Sequence, residues 1–285
     1  MQLLVFDVGG SHIAGARCDV EHLRLSAREV VPVDANGSEG EFYGALDRLT
    51  ASLSLGDLQG MSFAFPGPFD YRAGVSYLTH KFASLHGKNL RMELAERYRL
   101  ESKRIQFLND ADAFLLGEMS QMDASQDGRT IGITLGTGVG SAFAVAGKII
   151  RSGDGVPPDG EIWNLPWRGG IVEDAISTRG IQSLYEKRNG QRREVREIAE
   201  RSSIDVDAVA TFLEFGEALG DVLHSVAAEF RPATVIFGGA ISRSAELFLP
   251  FTARLLPGNI ALRVSTLFED AALLGAAVHW QREFQ

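Results

Sequence analysis

The chain has 285 residues, 45% hydrophobic and 23% charged, with a formal net charge of -9 and a single cysteine, Cys18. That length gives two domains room for a core each, while the acidic balance excludes the basic footprint of nonspecific nucleic-acid binding. One cysteine excludes an intrachain disulfide and a cysteine-rich zinc site; with no membrane-length apolar run and no basic leader, the expectation is a cytoplasmic protein.

The first segment, LLVFDVGGSHIAGARCDV, reads as two apolar strands, Leu3–Val8 and Ile13–Val20, joined by a glycine turn. A third strand is expected over Leu23–Val31. Ser38 with Glu41 three residues later forms a capping-box pattern, opening a helix to about Leu53 with Phe42, Leu46 and Leu49 on one face. Gly60–Phe65 reads as a short strand that Pro66-Gly67-Pro68 ends. A helix over Asn89–Tyr98, a strand over Ile105–Leu108 and a helix from Ala111 to about Met122 complete a first α/β lobe. A second glycine-turn hairpin follows, TIGITLGTGVGSAFAVAGKII, Thr130–Ile150. Ser152–Gly170 lacks periodicity and is long for a structureless loop, which marks it as functional or disordered. Ile171–Lys187 is expected to be helical and the charged stretch after it to be a solvated surface. Apolar residues from Val209 to Val226 fall on a helical stripe that Arg231-Pro232 stops. Ala233–Phe237 is a buried strand leading into Gly238-Gly239 and a helix, and Ala271–Arg282 is the last helix.

Several of these residues suit phosphate and hydroxyl chemistry. Glycine turns let backbone N–H groups approach phosphate oxygens. The Gly9-Gly10-Ser11 and Gly136-Thr137-Gly138 turns therefore suggest two lobes gripping one polyphosphate, although each alone is equally an ordinary hairpin. Asp7, just before the first turn, is placed to hold a hydrated magnesium ion beside phosphates or simply to cap the turn. Asp110 follows a strand end and is the candidate general base for phosphoryl transfer to a hydroxyl; its plainer role is to start the following helix. Asn109 offers a donor and an acceptor to a polyol. Glu161, Glu173 and Asn164 lie in or beside the unpatterned loop, where carboxylates and amides could read sugar hydroxyls or be solvated. Trp163 and Trp167 could pack on a sugar face or anchor the loop. Gly238-Gly239 could let a nucleobase or ribose lie against backbone, or merely connect strand to helix. No histidine falls in a metal-ligand pattern.

Taken together, these motifs resemble the ROK family of sugar kinases and repressors in the actin/hexokinase superfamily, over nearly the whole chain. FDVGGSH resembles its first phosphate motif, with His12 where a lysine is more usual. AFPGPFD, containing Gly67, is similar to its Pro-Gly-Pro substrate signature, and LHGKNL to the segment approaching the sugar. LNDADAFLLGE resembles the stretch with the catalytic aspartate, here Asp110. LGTGVGSAFAVAGKI resembles the second phosphate motif, VIFGGAIS the adenosine turn and EDAALLGAA the start of the closing helix. The family's Gly-Glu-Ile-Gly-His segment reads Gly160-Glu161-Ile162-Trp163-Asn164, and the usual zinc cysteines are absent, so no structural zinc is expected.

The resemblance implies two ribonuclease-H-like (actin/hexokinase-type) α/β lobes with mixed central sheets and an interlobe cleft. The expected division is residues 1–115 with 271–285, and 116–270. It also implies ATP-dependent phosphorylation of a hexose or hexose derivative, with Asp110 as base and Asn109, Glu161, Asn164, Glu173 and Gly67 around the sugar. Asp7, Gly9, Gly10, Ser11, Gly136, Thr137, Gly138, Gly238 and Gly239 would serve ATP, with Mg2+ held by Asp7 through water. The expected partners are a small-molecule sugar and nucleotide, with no nucleic acid and no membrane, in a homodimer. The alternatives are a noncatalytic sugar-binding or regulatory protein on the same fold, and a repressor. The repressor would need a DNA-binding segment ahead of the first turn, and the acidic charge opposes it.

Overall fold

The computed structural model describes residues 2–54, 56, 58–122 and 128–284. The chain divides into two compact units, Met1–Gln121 with Glu269–Gln285, and Met122–Phe268.

The first unit opens with β1 (Gln2–Val8), β2 (His12–Asp19) and β3 (Arg24–Pro32), an antiparallel meander. α1 (Glu39–Leu53) begins at Ser38, whose hydroxyl accepts from the Glu41 N–H while Glu41 Oε2 accepts from the Ser38 N–H at 2.7 Å. The capping box read in the sequence is thus formed, and α1 buries Phe42, Leu46, Leu49 and Leu53. β4 (Gly60–Phe65) is followed by a two-residue hairpin, β5 (Phe69–Asp70) with β6 (Val75–Ser76), and then by α2 (Leu90–Tyr98), β7 (Ile105–Asn109) and α3 (Asp110–Ser120). The sheet order is β3-β2-β1-β4-β7, with β1, β4 and β7 parallel.

Every residue of β4 and the Leu3–Phe6 run of β1 are buried, as expected of strands covered on both faces. Phe6, Phe63 and Phe107 are register partners on β1, β4 and β7. Their rings stack at 4.8 and 5.1 Å between centroids, each pair adding about 0.5–1.5 kcal/mol beyond area burial. Side chains alternate along a strand, so Asp7 lies on the opposite face from Phe6.

The C-terminal helix (Ala271–Phe284) packs on α3, β1 and β4 of this same unit. Its approach to α3 is backbone to backbone. A Cβ on Gly275 would fall inside the Ala113 carbonyl, and one on Gly117 inside the Ala271 carbonyl. Trp280 is buried at 1% exposure, and Gln281 Nε2 donates to the Val20 carbonyl at 2.9 Å.

The second unit repeats the sheet plan. It has β8 (Arg129–Leu135), β9 (Val139–Val145), β10 (Lys148–Ile150), the small hairpin β11 (Pro166–Trp167) with β12 (Gly170–Ile171), and helices α4 (Val172–Ala175), α5 (Thr178–Asn189), α6 (Val195–Arg201) and α7 (Val206–Phe230). β13 (Thr234–Gly238), α8 (Leu249–Ala253) and β14 (Ala261–Val264) follow. The order is β10-β9-β8-β13-β14, with β8, β13 and β14 parallel and the first three strands antiparallel.

Several elements differ from the sequence expectation. The helix expected over Ile171–Lys187 is two, because Ile176 and Ser177 leave helical geometry between α4 and α5. The charged stretch contains α6, which buries only Ile198. The turn after Gly239 opens a 3-10 helix, Ala240–Leu247. Among the described residues no helix is long and apolar enough to cross a membrane.

Gly275→Ala should destabilise the protein by about 1–3 kcal/mol or more, because the helix backbones must separate. Gly44→Ala, in α1 with only the Arg48 guanidinium tip nearby at 3.7 Å, should be neutral or stabilising by up to about 1 kcal/mol. Urea unfolding midpoints of the two variants check this; equal midpoints would refute the close helix contact.

Candidate active site

The C-terminal ends of parallel strands gather candidate residues in each unit, the usual place for a site in such sheets. In the first unit Asp7 pairs with Ala64, and Ala64 with Leu108, so Asn109 and Asp110 lie one and two residues past that row. Asn109, rather than Asp110, caps α3: its Oδ1 accepts from the Ala111 and Asp112 N–H groups at 3.0 and 3.3 Å. Its amide donates to the Tyr71 hydroxyl at 3.2 Å, and Tyr71 donates to the Phe65 carbonyl at 3.0 Å. The Asn109 acceptor is therefore spent on the helix, and its donor side faces Tyr71. Asp110 is the first residue of α3 and exposed, with Oδ1 accepting from the Ala111 N–H at 2.9 Å.

Asp7 is pushed up to about 7, first by burial of its carboxyl and then by the Asp110 charge, against the pull of Arg28. Arg28 is itself held by Asp270 at 3.1 Å. In the adjoining turn the Gly9 N–H donates to the His12 carbonyl at 3.0 Å, and the Ser11 hydroxyl meets His12 Nδ1 at 3.0 Å. Gly67 is exposed, with the Tyr71 hydroxyl 3.4 Å from where its Cβ would stand. Tyr71 thus ties the Gly67 loop to Asn109.

In the second unit the Gly136–Gly138 turn is closed by a Gly136 N–H to Gly138 carbonyl bond of 3.0 Å and pinned to the start of α5 by Thr178 N–H on the Gly136 carbonyl at 2.8 Å. Thr137 is exposed. Gly238 is the register partner of Thr134, and Gly239, at φ +81°, packs so closely on Leu135 that a Cβ would fall inside its backbone. Gly238-Gly239 and the Gly136 turn are therefore neighbours.

The unpatterned loop folds back on this same end. Ser141 donates to the Gly160 carbonyl at 2.6 Å and accepts from the Ile162 N–H at 3.1 Å, fixing the residues on both sides of Glu161. Trp163 Nε1 donates to Glu161 Oε2 at 2.7 Å, so this ring orients a carboxylate. The Glu173 N–H donates to the Trp163 carbonyl at 3.0 Å, and Glu173 Oε2 accepts from the Val139 N–H at 3.0 Å, beside Gly138. Asn164 is exposed at the turn between them. Glu173 is thus brought to the rim of the second glycine turn, and Glu161 and Asn164 lie on the loop that its N–H ties down through Trp163. Tyr71, Ser141 and Arg28 escaped the sequence reading, since single hydroxyls and an arginine far along the chain carry no local signal.

Among the described residues no group of three or more histidine, cysteine or acidic side chains could cage a metal. Mg2+ does not need one: it keeps several waters and takes one or two carboxylates plus phosphate oxygens. The Asp7–Asp110 pair, mutually repelling in the absence of a cation, fits that donor set.

The paired sheets, each an antiparallel meander extended by parallel strands, define a protein of the actin/hexokinase-type fold with two ribonuclease-H-like units. Within it, the chain belongs to the ROK family, whose profile matches residues 4–283. A glucokinase of Thermotoga maritima is 30% identical over 246 residues, covering 74% of this chain and 76% of its own. An N-acetyl-D-glucosamine kinase of Pectobacterium atrosepticum is 24% identical over 276 residues, covering 88% and 89%. Among solved structures, a ROK family glucokinase from Streptomyces griseus, in complex with glucose and AMPPNP, aligns over 98% of this chain and 99% of its own, with a TM-score of 0.79 and 22% identity.

An unfolded aspartate titrates near 3.9, well below Asp7 in the fold. Between about pH 4 and 7 the unfolded chain therefore loses a proton that the folded chain keeps, and Asp7 lowers stability progressively as pH rises through that window. In magnesium-free buffer, Asp7→Asn should gain melting temperature over wild type from pH 4 to 7 and level off above. A difference independent of pH would contradict the raised proton affinity of Asp7.

Proposed function

We propose that this chain transfers the γ-phosphoryl group of ATP to a hydroxyl, the primary one, of a hexose or hexose derivative. The observation that carries the reading is the exposed Asp110 carboxylate beside Asp7, at the parallel strand ends next to the Gly9-Gly10 turn. The family and the kinase names of its relatives support it.

In this reading the sugar O–H bond breaks as its oxygen bonds to the γ-phosphorus. The proton passes to Asp110. The bond from the γ-phosphorus to the bridging oxygen breaks with its electron pair leaving on ADP. Asn109 aligns the acceptor through its remaining amide donor, while its acceptor oxygen keeps Asp110 at the first position of α3. Glu161, Asn164 and Glu173 take sugar hydroxyls, and Gly67 leaves room for the ring. Gly10, Ser11, Thr137 and Gly138 offer donors to the phosphates, Gly9 and Gly136 close the two turns through their own N–H groups, and Gly238 and Gly239 lie against the adenosine. Mg2+ bound with ATP would neutralise phosphate charge, its waters held by Asp7.

Glu173 has a double load, since one carboxylate oxygen already holds the Val139 N–H beside the second turn. Glu173→Ala should therefore raise KM for both sugar and ATP, each by about 10-fold or more, in steady-state assays varying each substrate. A change confined to one substrate would separate the two roles.

The first experiment is Mg- and ATP-dependent ADP release across glucose, mannose, fructose, N-acetylglucosamine and N-acetylmannosamine. One or more sugars should stimulate release. Asp110→Asn should lower kcat by about 100- to 10,000-fold with sugar affinity nearly intact. Retained turnover would remove Asp110 as base, and sugar binding without ADP release in the wild type would favour the noncatalytic reading.

A further inference from the structure

The Gly9-Gly10 turn has a lysine stem laid against it that comes from a distant part of the sequence. Phe82 is buried at 1% exposure, with its ring edge-on to Phe42 at 5.5 Å between centroids. Its N–H donates to the Ala35 carbonyl at 2.6 Å, and the Ala35 N–H in turn donates to the Gly10 carbonyl at 3.2 Å. The backbone of Lys81, one residue earlier, is thereby fixed beside the turn.

The Lys81 stem then lies across Gly10, with Cδ and Cε 3.6 and 3.7 Å from where a Gly10 Cβ would be. Those are van der Waals distances, so the stem lies directly against that face of the turn. Lys81 is exposed, and among the described residues its ammonium has no hydrogen bond or ion pair. Arg28, whose charge bears on Asp7, is already committed to Asp270 at 3.1 Å. His12, inside the turn, shares Nδ1 with the Ser11 hydroxyl.

The charge balance of the turn asks for such a group. The carboxylates of Asp7, one residue before Val8-Gly9, and of Asp110, two residues past the strand row that Asp7 shares, lie at the same strand ends, so a phosphate approaching Gly9-Gly10 meets acidic side chains. Backbone N–H groups with one lysine are a sufficient cradle for a phosphate, the lysine acting as a point charge on its outer oxygens. We propose that Lys81 is a phosphate-binding residue that contacts the terminal phosphate of the donor at the Gly9-Gly10 turn. The inference rests on the phosphoryl-transfer reading and adds the residue that distinguishes a triphosphate from a diphosphate.

The test compares wild type, Lys81→Gln and Lys81→Arg by calorimetric titration with AMPPNP, ADP and adenosine in magnesium buffer, together with KM and kcat. Lys81 is exposed, so both variants should keep the wild-type melting temperature. Lys81→Gln should lose about 10- to 100-fold in AMPPNP affinity and in kcat/KM for ATP, with adenosine affinity and sugar KM unchanged. Lys81→Arg should recover most of the loss, which a merely structural role would not do. Wild type that binds no AMPPNP would overturn the phosphoryl-transfer reading itself. Wild type that binds it, with Lys81→Gln keeping the wild-type preference for AMPPNP over ADP, would overturn the Lys81 assignment alone. A loss that falls on sugar KM with AMPPNP affinity intact would also overturn it, pointing instead to an anionic group on the acceptor.

Discussion

The in-register parallel pairing of β1, β4 and β7 is the constraint on which the first unit depends. Phe6, Phe63 and Phe107 stack across the three strands, and a slip of one residue would turn every side chain of a strand to the other face. The same register that buries the rings therefore points Asp7 the opposite way and ends β7 at Asn109. Core packing and the placement of the two carboxylates are one decision. The C-terminal helix seals the arrangement, and it can do so only because glycines at 117 and 275 let its backbone meet α3.

The second unit solves a similar problem with loops. β8 and β13 are parallel neighbours, and Gly239 brings the turn after β13 onto Leu135 at the end of β8. Ser141 and Glu173 then draw the irregular 152–173 segment against the same end through side chain-to-backbone hydrogen bonds. These bonds do for the loop what a metal or disulfide could do, using donors and acceptors that the strand ends leave over. Where the family pattern places zinc cysteines, this chain has a two-residue hairpin, Pro166–Trp167 with Gly170–Ile171.

The site's electrostatics follow from burial rather than from residue type. Both Asp7 and Asp110 are aspartates at the end of a strand or the start of a helix, yet Asp7 is half-buried and Asp110 is open to solvent. Burial raises the proton affinity of the first, and each carboxylate's charge bears on the other. An exposed carboxylate can meet a substrate hydroxyl; a half-buried one is better suited to fix a cation's hydration shell. Arg28, neutralised in part by Asp270, keeps the pair from being a purely negative pocket.

The sequence by itself determined what depends on near neighbours. The β1–β2 and β8–β9 hairpins, the Ser38–Glu41 capping box, the end of α7 at Arg231-Pro232 and the order of the glycine turns around Asn109-Asp110 are all properties of short windows, where periodicity and capping chemistry act. Short elements escaped for the same reason: α6 carries one buried residue among charges, and β14 has four residues of mixed polarity. Only the tertiary structure decided that Asn109 rather than Asp110 caps α3, that Tyr71 orients Asn109, and that Trp163 and Val139 hold the two loop carboxylates. It also placed Lys81 on Gly10, across some seventy residues of chain. Those contacts join residues far apart in sequence, and their partners are chosen by strand register and helix packing, which no local pattern encodes.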